Sequence, residues 1–310
     1  MFWSKKISEP IWSIKVYHAD SPVMELQDEQ DLYTPTVQAA DVTDIAAEFV
    51  ADPFVIHHES QYFLFYEVLN KATGRGDIGL STSKDGISWH YEQIVLTESF
   101  HLSYPQVFQV NGQFYMLPES VEANKVLLYK ATHFPTEWAV VGELINGRYT
   151  DPSLFSYQGK WWMYAGSKSK HLHLFYADEL EGEWKEHPQS PIISDNRSIS
   201  RPGGRVLVHN EQIYRYTQDG DPIYGRATRV FHVTALTETD YAEEDGHLVL
   251  TGTGKANDWK KDGMHHIDQL ELPDKRWMIV VDGHHFVEHN YILWRLKRIK
   301  ATWRQGQTRG

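Results

Sequence analysis

The chain contains no cysteine among its 310 residues. That excludes a disulfide framework and any zinc site built on thiolates. Long apolar runs are missing as well, and a bilayer span needs about 18 or more such residues in succession. No membrane span is therefore expected, and MFWSKKISEPIWSIKVY lacks the apolar core of a secretory signal. Cationic excess is also missing: 30 Lys and Arg stand against 42 Asp and Glu, for a net charge of −12. Nucleic acid and anionic membranes both demand a cationic face, so neither is an expected general partner, although local basic pockets stay open. The missing signal and the missing cysteines make a cytoplasmic location the expectation. There is no phosphate-binding Gly-x-x-x-x-Gly-Lys-Ser/Thr, no His-Glu-x-x-His and no Gly-x-Ser-x-Gly. The Gly-x-Gly of ATGRGDIGLS sits in a hairpin rather than at a helix start, and carries no nucleotide signal.

What is present is aromatic and periodic. Aromatic residues make up 13% of the chain, including 11 Trp and 17 Tyr, a composition at home in β-structure. DPFVIHHESQYFLFYE from Asp52 reads as an apolar run, a polar turn and an apolar-aromatic run. The same shape returns in YPQVFQVNGQFYMLPE from Tyr104, DPSLFSYQGKWWMYAG from Asp151 and RPGGRVLVHNEQIYRYTQ from Arg201. It returns once more, without the x-Pro pair, in GMHHIDQLELPDKRWMIVVDG from Gly263. Asn111-Gly112 is a strong hairpin signal at one of the turns. Successive heads lie 52, 47 and 50 residues apart, then a little over 60. Each hairpin leads to a third strand-like run: GDIGLSTS, NKVLLYKA, LHLFYADE, TRVFHVTA and YILWRLKR. A fourth run usually follows, as in SWHYEQIVL or EWAVVGELI.

Four strands per unit at a period near 50 residues is the pattern of a propeller blade. The predicted fold is all-β: a five-bladed propeller of four-stranded antiparallel blades over residues 49–310. Residues 1–48 form an N-terminal arm, in which WSIKVY completes the last blade and TDIAAEFV reads as one short helix. A sandwich with irregular hairpins is the alternative, but five similarly built units are hard to obtain by accident.

In a propeller the first strand of every blade lines the axis, and the second returns to the same mouth. The geometry gathers Asp52, Tyr104, Asp151, Arg201 and the pair His265-His266 from strand starts. It adds Glu67, Glu119, Gln218-Asp219 and Asp282 from strand ends. Clustered carboxylates repel one another and raise some of their pKa values. An arginine among them offsets that repulsion and offers a bidentate fork to a phosphate or carboxylate. Arg205, with main-chain N–H groups exposed by Gly203-Gly204, extends this reading to an anion cradle. The bland reading of Arg201 is an internal salt bridge to Asp52, Asp151 or Glu119. For Tyr104 and Tyr224 it is core packing in place of stacking on a sugar; for His266 it is a packing histidine. His284-His285 reads as part of a surface loop.

The Asp-Pro heads and aromatic second strands resemble glycoside hydrolase family 43 and related five-bladed propellers. More closely, VADPFV, FHLSYPQVF, YMLPES, FPTEW, DPSLF, GKWWM and SRPGGRV resemble one particular group. It is the propeller-type N-terminal domain of plant glucosamine inositolphosphorylceramide transferase and its bacterial relatives. The family 43 likeness implies that Asp52 matches the general base and Asp151 the group that tunes the acid. Where the family has its acidic Glu-Gly-Pro, this chain has Arg201 before Pro202-Gly203, and an arginine yields no proton at working pH. Glu119 or Glu67 then replaces the acid, or the chemistry needs none, as with a phosphate leaving group.

The expected function is glycosyl transfer or glycosidic bond cleavage, with Asp52, Asp151 and Glu119 catalytic. Arg201, Arg205, Tyr104, Glu67, His266, Asp219 and Asp282 are expected to bind substrate. The expected ligand is a carbohydrate, a sugar phosphate or a nucleotide sugar. No cofactor is required; the family places a histidine near a cation, so a divalent cation on the axis stays open. The alternative is a non-catalytic sugar-binding propeller that presents glycan to a partner biosynthetic enzyme.

Overall fold

Along GDIGLSTS nearly every residue is apolar or small, which suits a strand covered on both faces. In the structure, a computed structural model that describes residues 5–27 and 33–308, β1 (Lys6–Ala19) comes first and is not hydrogen-bonded into the sheet of the blade that follows it. The first blade is β2 (Ala47–His58), β3 (Gln61–Asn70), β4 (Gly76–Ser83) and β5 (His90–Leu96), paired in that order. The second is β6 (Ser103–Val110), β7 (Gln113–Glu119), β8 (Lys125–His133) and β9 (Glu137–Asn146). The third is β10 (Thr150–Tyr157), β11 (Lys160–Ser167), β12 (His171–Ala177) and the short β13 (Lys185–Glu186). The fourth is broken into β14 (Arg201–Pro202), β15 (Leu207–His209), β16 (Gln212–Asp219), β17 (Ala227–Leu236), β18 (Tyr241–Glu243) and β19 (His247–Thr251). The fifth has β20 (Ile267–Glu271) inside and β21 (Trp277–Asn290) next, with β1 antiparallel to β21 from Lys6↔Asn290 to Ala19↔Trp277.

The period-2 alternation of each strand serves two cores rather than one core and solvent. Phe63 and Phe65 of β3 pack towards the second blade with Val107 and Met116, whereas Leu64 and Tyr66 pack towards the fifth with Val280. Five such cores lie between successive blades and close the ring.

Two local expectations are corrected. YILWRLKR is not a third strand: it opens α1 (Tyr291–Thr308). Its Leu, Arg, Lys and Ala content favours a helix, and Asn290 Oδ1 accepts hydrogen bonds from the N–H groups of Ile292 (3.0 Å) and Leu293 (3.2 Å), as an N-cap does. The third-strand position it was assigned is taken by β1. TDIAAEFV is not a helix either, because its second half enters β2, where Ala47 pairs with Asn70.

Candidate functional site at the propeller mouth

Three blade heads share one backbone device. Asp52, Tyr104 and Asp151 each precede a proline and each has a left-handed backbone, with φ of 52°, 49° and 48°. At each the ladder skips, between Ala51 and Phe54, Ser103 and Gln106, and Thr150 and Ser153. A bulge of this kind re-aims a side chain out of the strand plane. Left-handed backbone is unfavourable for a branched or aromatic residue and tolerable for aspartate. The heads are therefore locally costly and held by what surrounds them.

Carboxylates at the second-strand ends do the holding. Asp282 Oδ2 accepts the N–H of Asp52 (3.0 Å), and Glu119 Oε2 accepts the N–H of Asp151 (3.1 Å). Asp282 Oδ1 also accepts from the backbone N–H groups of His265 (3.2 Å) and His266 (3.1 Å), and from His265 Nδ1 (2.8 Å). Burial opposes the charge of Asp282, yet His265 and these donors hold its pKa below the ordinary value. Burial likewise opposes a charged His265, but Asp282 outweighs it and raises the pKa. The other ring nitrogen of His265 meets the Tyr224 hydroxyl at 3.1 Å.

Asp52 itself is buried, 4% exposed, and its Oδ1 has no hydrogen-bond partner among the described residues. His265 Nε2 and His266 Nδ1 both stand 3.7 Å from that oxygen. Burial, with added repulsion from Asp282 and Asp151, pushes the Asp52 pKa up to about 7. Glu67 and Glu119 are raised well above the carboxylate range by burial and by neighbouring carboxylates. Glu67 Oε1 lies 3.4 Å from His101 Nε2, whose Nδ1 accepts the Gly76 N–H (2.9 Å).

Arg201 is engaged inside the site. Its Nε donates to Asp151 Oδ2, and its Nη2 reaches Asp151 Oδ1 at 3.3 Å and Glu119 Oε2 at 3.4 Å. The guanidinium lies 5.1 Å from the centre of the Tyr224 ring. Tyr224 is 44% exposed, which makes it the open aromatic surface beside this cluster.

Several expected contacts fall elsewhere. Arg205 lies a layer deeper, donating to Asp268 Oδ1 (2.7 Å) and to the Val107 carbonyl (3.0 Å). Gly203-Gly204 is no anion cradle, since Gly203 N–H donates to the Tyr216 carbonyl (3.0 Å) and Gly204 N–H to Tyr104 Oη (2.6 Å). These glycines are needed because the inner strands crowd: a Cβ on Gly204 would stand 1.7 Å from the Ile267 carbonyl oxygen. Tyr104 is fully buried, its hydroxyl against Ser153 (2.7 Å), so its ring offers no face to a sugar. Asp219 turns away and binds Arg226 (2.9 Å) and Arg229 (3.1 Å). The adjacent Gln218 faces the axis instead, donating to Asp151 Oδ2 (2.9 Å). His266 is buried, its Nε2 held by the Pro53 carbonyl at 3.0 Å, and burial lowers its pKa to about 4. Asp282 accepts four N–H donors, from Asp52, His265 and His266, and so positions the site. His284 is not in a surface loop but buried in β21 against Trp12, with ring centroids 4.2 Å apart.

Reasoning from sequence brings the Gln218-Asp219 pair to the mouth but takes Asp219 as its binding member, and it passes over His101. Strand alternation is the signal that separates Gln218 from Asp219 once the register is known. His101 carries no such signal.

Asp52, His265 and Asp282 bring ligand atoms within 4.8 Å of one another. The set does not fit a divalent cation: Asp282 Oδ1 already accepts three N–H bonds, and both nitrogens of His265 are engaged. Among the described residues, the buried ligand atom of this set without a hydrogen-bond partner is Asp52 Oδ1, far short of the six to eight oxygens calcium takes or the octahedral shell of magnesium.

Residues 4–284 match the family described as glucosamine inositolphosphorylceramide transferase 1, N-terminal. A protein named glucosamine inositolphosphorylceramide transferase 1 from Oryza sativa subsp. japonica is 34% identical over 298 residues, 89% of this chain and 40% of that protein. Its namesake from Arabidopsis thaliana is 31% identical over 299 residues, 89% of this chain and 39% of that protein. The chain thus spans about two fifths of the relatives it matches. Among solved structures, a glycosyl hydrolase from Bacteroides ovatus has the same fold, with a TM-score of 0.59 at 13% identity over 84% of this chain and 93% of that one. The chain belongs to the glucosamine inositolphosphorylceramide transferase 1 N-terminal family.

Proposed function

We propose that this member of the family holds a carbohydrate-bearing ligand at the propeller mouth and acts on it by glycosyl transfer or glycosidic cleavage. The observation that carries the reading is Asp52: a buried carboxylate with one unsatisfied oxygen, a pKa near 7 and a backbone fixed by Asp282. A carboxylate of that pKa is matched to taking a proton near neutrality. In this reading the carboxylate of Asp52, its Oδ1 buried, removes the proton from a water or an acceptor hydroxyl. His265, held by Asp282, lies beside that oxygen and the exposed ring of Tyr224 packs against the sugar.

Arg201 is paired with Asp151 and cannot serve as an acid. Glu119, whose pKa burial and the neighbouring Asp151 raise well above the ordinary carboxylate value, is the reserve donor to a leaving oxygen. The deciding experiment compares the parent with Asp52→Asn, in parallel, for oligosaccharide binding and for turnover of nucleotide sugars and glycosides. Retained binding with turnover down at least about a hundredfold supports the reading; unchanged turnover overturns it.

A second reading has its own observation. The named relatives are more than twice the length of this chain, and here an arginine stands at the acid position. A binding propeller that presents glycan to a separate catalytic unit accounts for both. It predicts sugar binding by the parent with no turnover on any donor.

A further inference from the structure

Helix α1 follows the last strand and lies outside the span matched to the family, which ends at residue 284. One side of it is tied to the propeller. The N–H of Tyr291 donates to the Lys5 carbonyl (2.9 Å), and Tyr291 stacks on Trp294 with ring centroids 6.0 Å apart. One turn on, Arg298 lies against the Trp294 ring and donates to Glu48 Oε2 (3.0 Å), with Glu9 Oε1 3.9 Å away. Tyr291, Trp294 and Arg298 keep the three- and four-residue spacing of a single helix face.

The opposite side is uncovered among the described residues. Leu293, Leu296 and Ile299 are 58%, 56% and 49% exposed. At three-residue spacing they make one stripe along the helix. Arg295 and Lys300, each four residues from a member of the stripe, are exposed beside it. A surface helix ordinarily turns its apolar stripe to the core and its charges to water. Here the face towards the propeller carries an ion pair and the apolar stripe is turned outward. The charge of the helix is equally one-sided. Its 18 residues hold five of the chain's 30 Lys and Arg and none of its 42 Asp and Glu.

These features select an occupant. Two copies of the helix laid side by side would set their cations against one another. Three half-exposed side chains also fall far short of the roughly 800 Å² a side that a stable protein interface buries. An anionic lipid surface satisfies both conditions, since it offers negative headgroups above an apolar layer and accepts a small patch. No helix among the described residues is long and apolar enough to cross a membrane, so α1 would lie in the interface without spanning it. We infer that α1 is an interfacial anchor that seats the propeller on an anionic lipid surface. Leu293, Leu296 and Ile299 enter the acyl boundary, while Arg295 and Lys300 stay among the headgroups. The net charge of −12 opposes any wider attraction, which confines the contact to this helix and keeps it reversible. Nothing in this inference depends on the reading of the axial site.

The test floats the full chain with vesicles of phosphatidylcholine alone, and of phosphatidylcholine with an equal part of phosphatidylglycerol. One variant, Leu293→Gln with Leu296→Gln and Ile299→Gln, removes the stripe. Another, Arg295→Gln with Lys300→Gln, removes the flanking charge. Glutamine is a good helix former and every one of these sites is exposed, so the melting temperature should stay where it is. The parent should bind the anionic vesicles roughly tenfold or more tightly than the neutral ones. Added salt should reduce that preference. The triple variant should lose binding to both, and the double variant should lose the preference for anionic lipid. A parent that ignores both kinds of vesicle leaves the stripe to a protein partner and overturns the inference. A triple variant that binds as the parent does overturns it too, as does a dimer in analytical ultracentrifugation that the triple variant dissolves. Asp52→Asn should bind vesicles like the parent. Loss of binding in that variant would place the lipid at the axis, against this inference and in favour of the axial one.

Discussion

Arg201 shows how a single side chain decides what a blade head can do. It neutralises Asp151 and touches Glu119 in a space where both are buried. Removing one partner of a buried charge cluster costs about 3–5 kcal/mol, because the remaining charges lose their compensation. Arg201→Gln should therefore lower the midpoint of thermal unfolding markedly, and Glu119→Gln added to it should recover part of the loss. An arginine kept free for a ligand would instead lower ligand affinity while leaving the melt in place, and calorimetry on the two variants distinguishes these outcomes. Asp52 behaves in the opposite sense. Its folded pKa near 7 lies above the ordinary aspartate value, so its charge weakens the fold at alkaline pH. Asp52→Asn, which asparagine's tolerance of left-handed backbone permits, should stabilise the protein at pH 8 by on the order of a few kcal/mol. It should also remove a rise in activity centred near pH 7. The heads themselves could be read from the sequence, because x-Pro pairs recur at a fixed period. The choice between a ligand and an internal partner for Arg201 could not, because it depends on where Asp151 and Glu119 point after a bulge.

Among the elements, β1 reaches the site from the far end of the chain. Its Trp12 is 3% exposed and stacks on His265, with ring centroids 4.0 Å apart, behind the contact that histidine makes with Asp282. The opposite wall is Gly225, where a Cβ would stand 2.3 Å from the Trp12 ring and φ is 73°, so that close approach depends on glycine. WSIKVY could be recognised as a strand by its alternation. Its part in supporting the site was invisible, because nothing local ties Trp12 to a residue some 250 positions away. Likewise the 3.6-residue character of the segment after Asn290 was outweighed by the expectation of a repeating third strand, although β1 had already filled that place. Trp12→Ala should cost about 3–5 kcal/mol as a core truncation. It should also lower turnover or sugar affinity through a loosened His265, whereas Trp12→Phe should keep most of both. Chemical-shift titration of His265 provides the second readout: a purely structural loss would leave its pKa as it was, and a loosened Asp282 contact would lower it.

Across the whole molecule, five cores between blades converge on an axis where the ring brings carboxylates together that no single blade would tolerate. Asp52, Glu67 and Glu119 all have folded pKa values above their ordinary ones, with burial the leading cause. For each, the contribution is fully present below the unfolded pKa and is lost as pH rises from there through the folded pKa. The exposed carboxylates Asp85, Asp178, Asp195 and Asp274 run the other way, their pKa values depressed by hydrogen bonds to nearby N–H, O–H and ammonium donors. Their contributions are small because they are solvated, and they fade only in acid. The overall charge of −12 adds self-repulsion that also eases as the solution is acidified towards the pI of about 5.8. The axial carboxylates thus act with one sign as pH falls from 8, and they are opposed below about pH 6.5 by the buried His266 and His284, whose pKa values burial lowers to about 4 and which resist the proton the unfolded chain takes up. The melting temperature should climb as pH falls from 8 towards about 6.5, then flatten and turn down as these histidines and later the surface carboxylates come into play. Added salt isolates the axial contribution, since a Debye length near 10 Å at 0.1 M screens the surface far more than the buried ring. A rise that persists in salt and flattens in Asp52→Asn with Glu67→Gln places its origin on the axis. A melting temperature that is level or falling from pH 8 to pH 6.5 would mean that the ring's charges are compensated in a way the observed pairs do not provide.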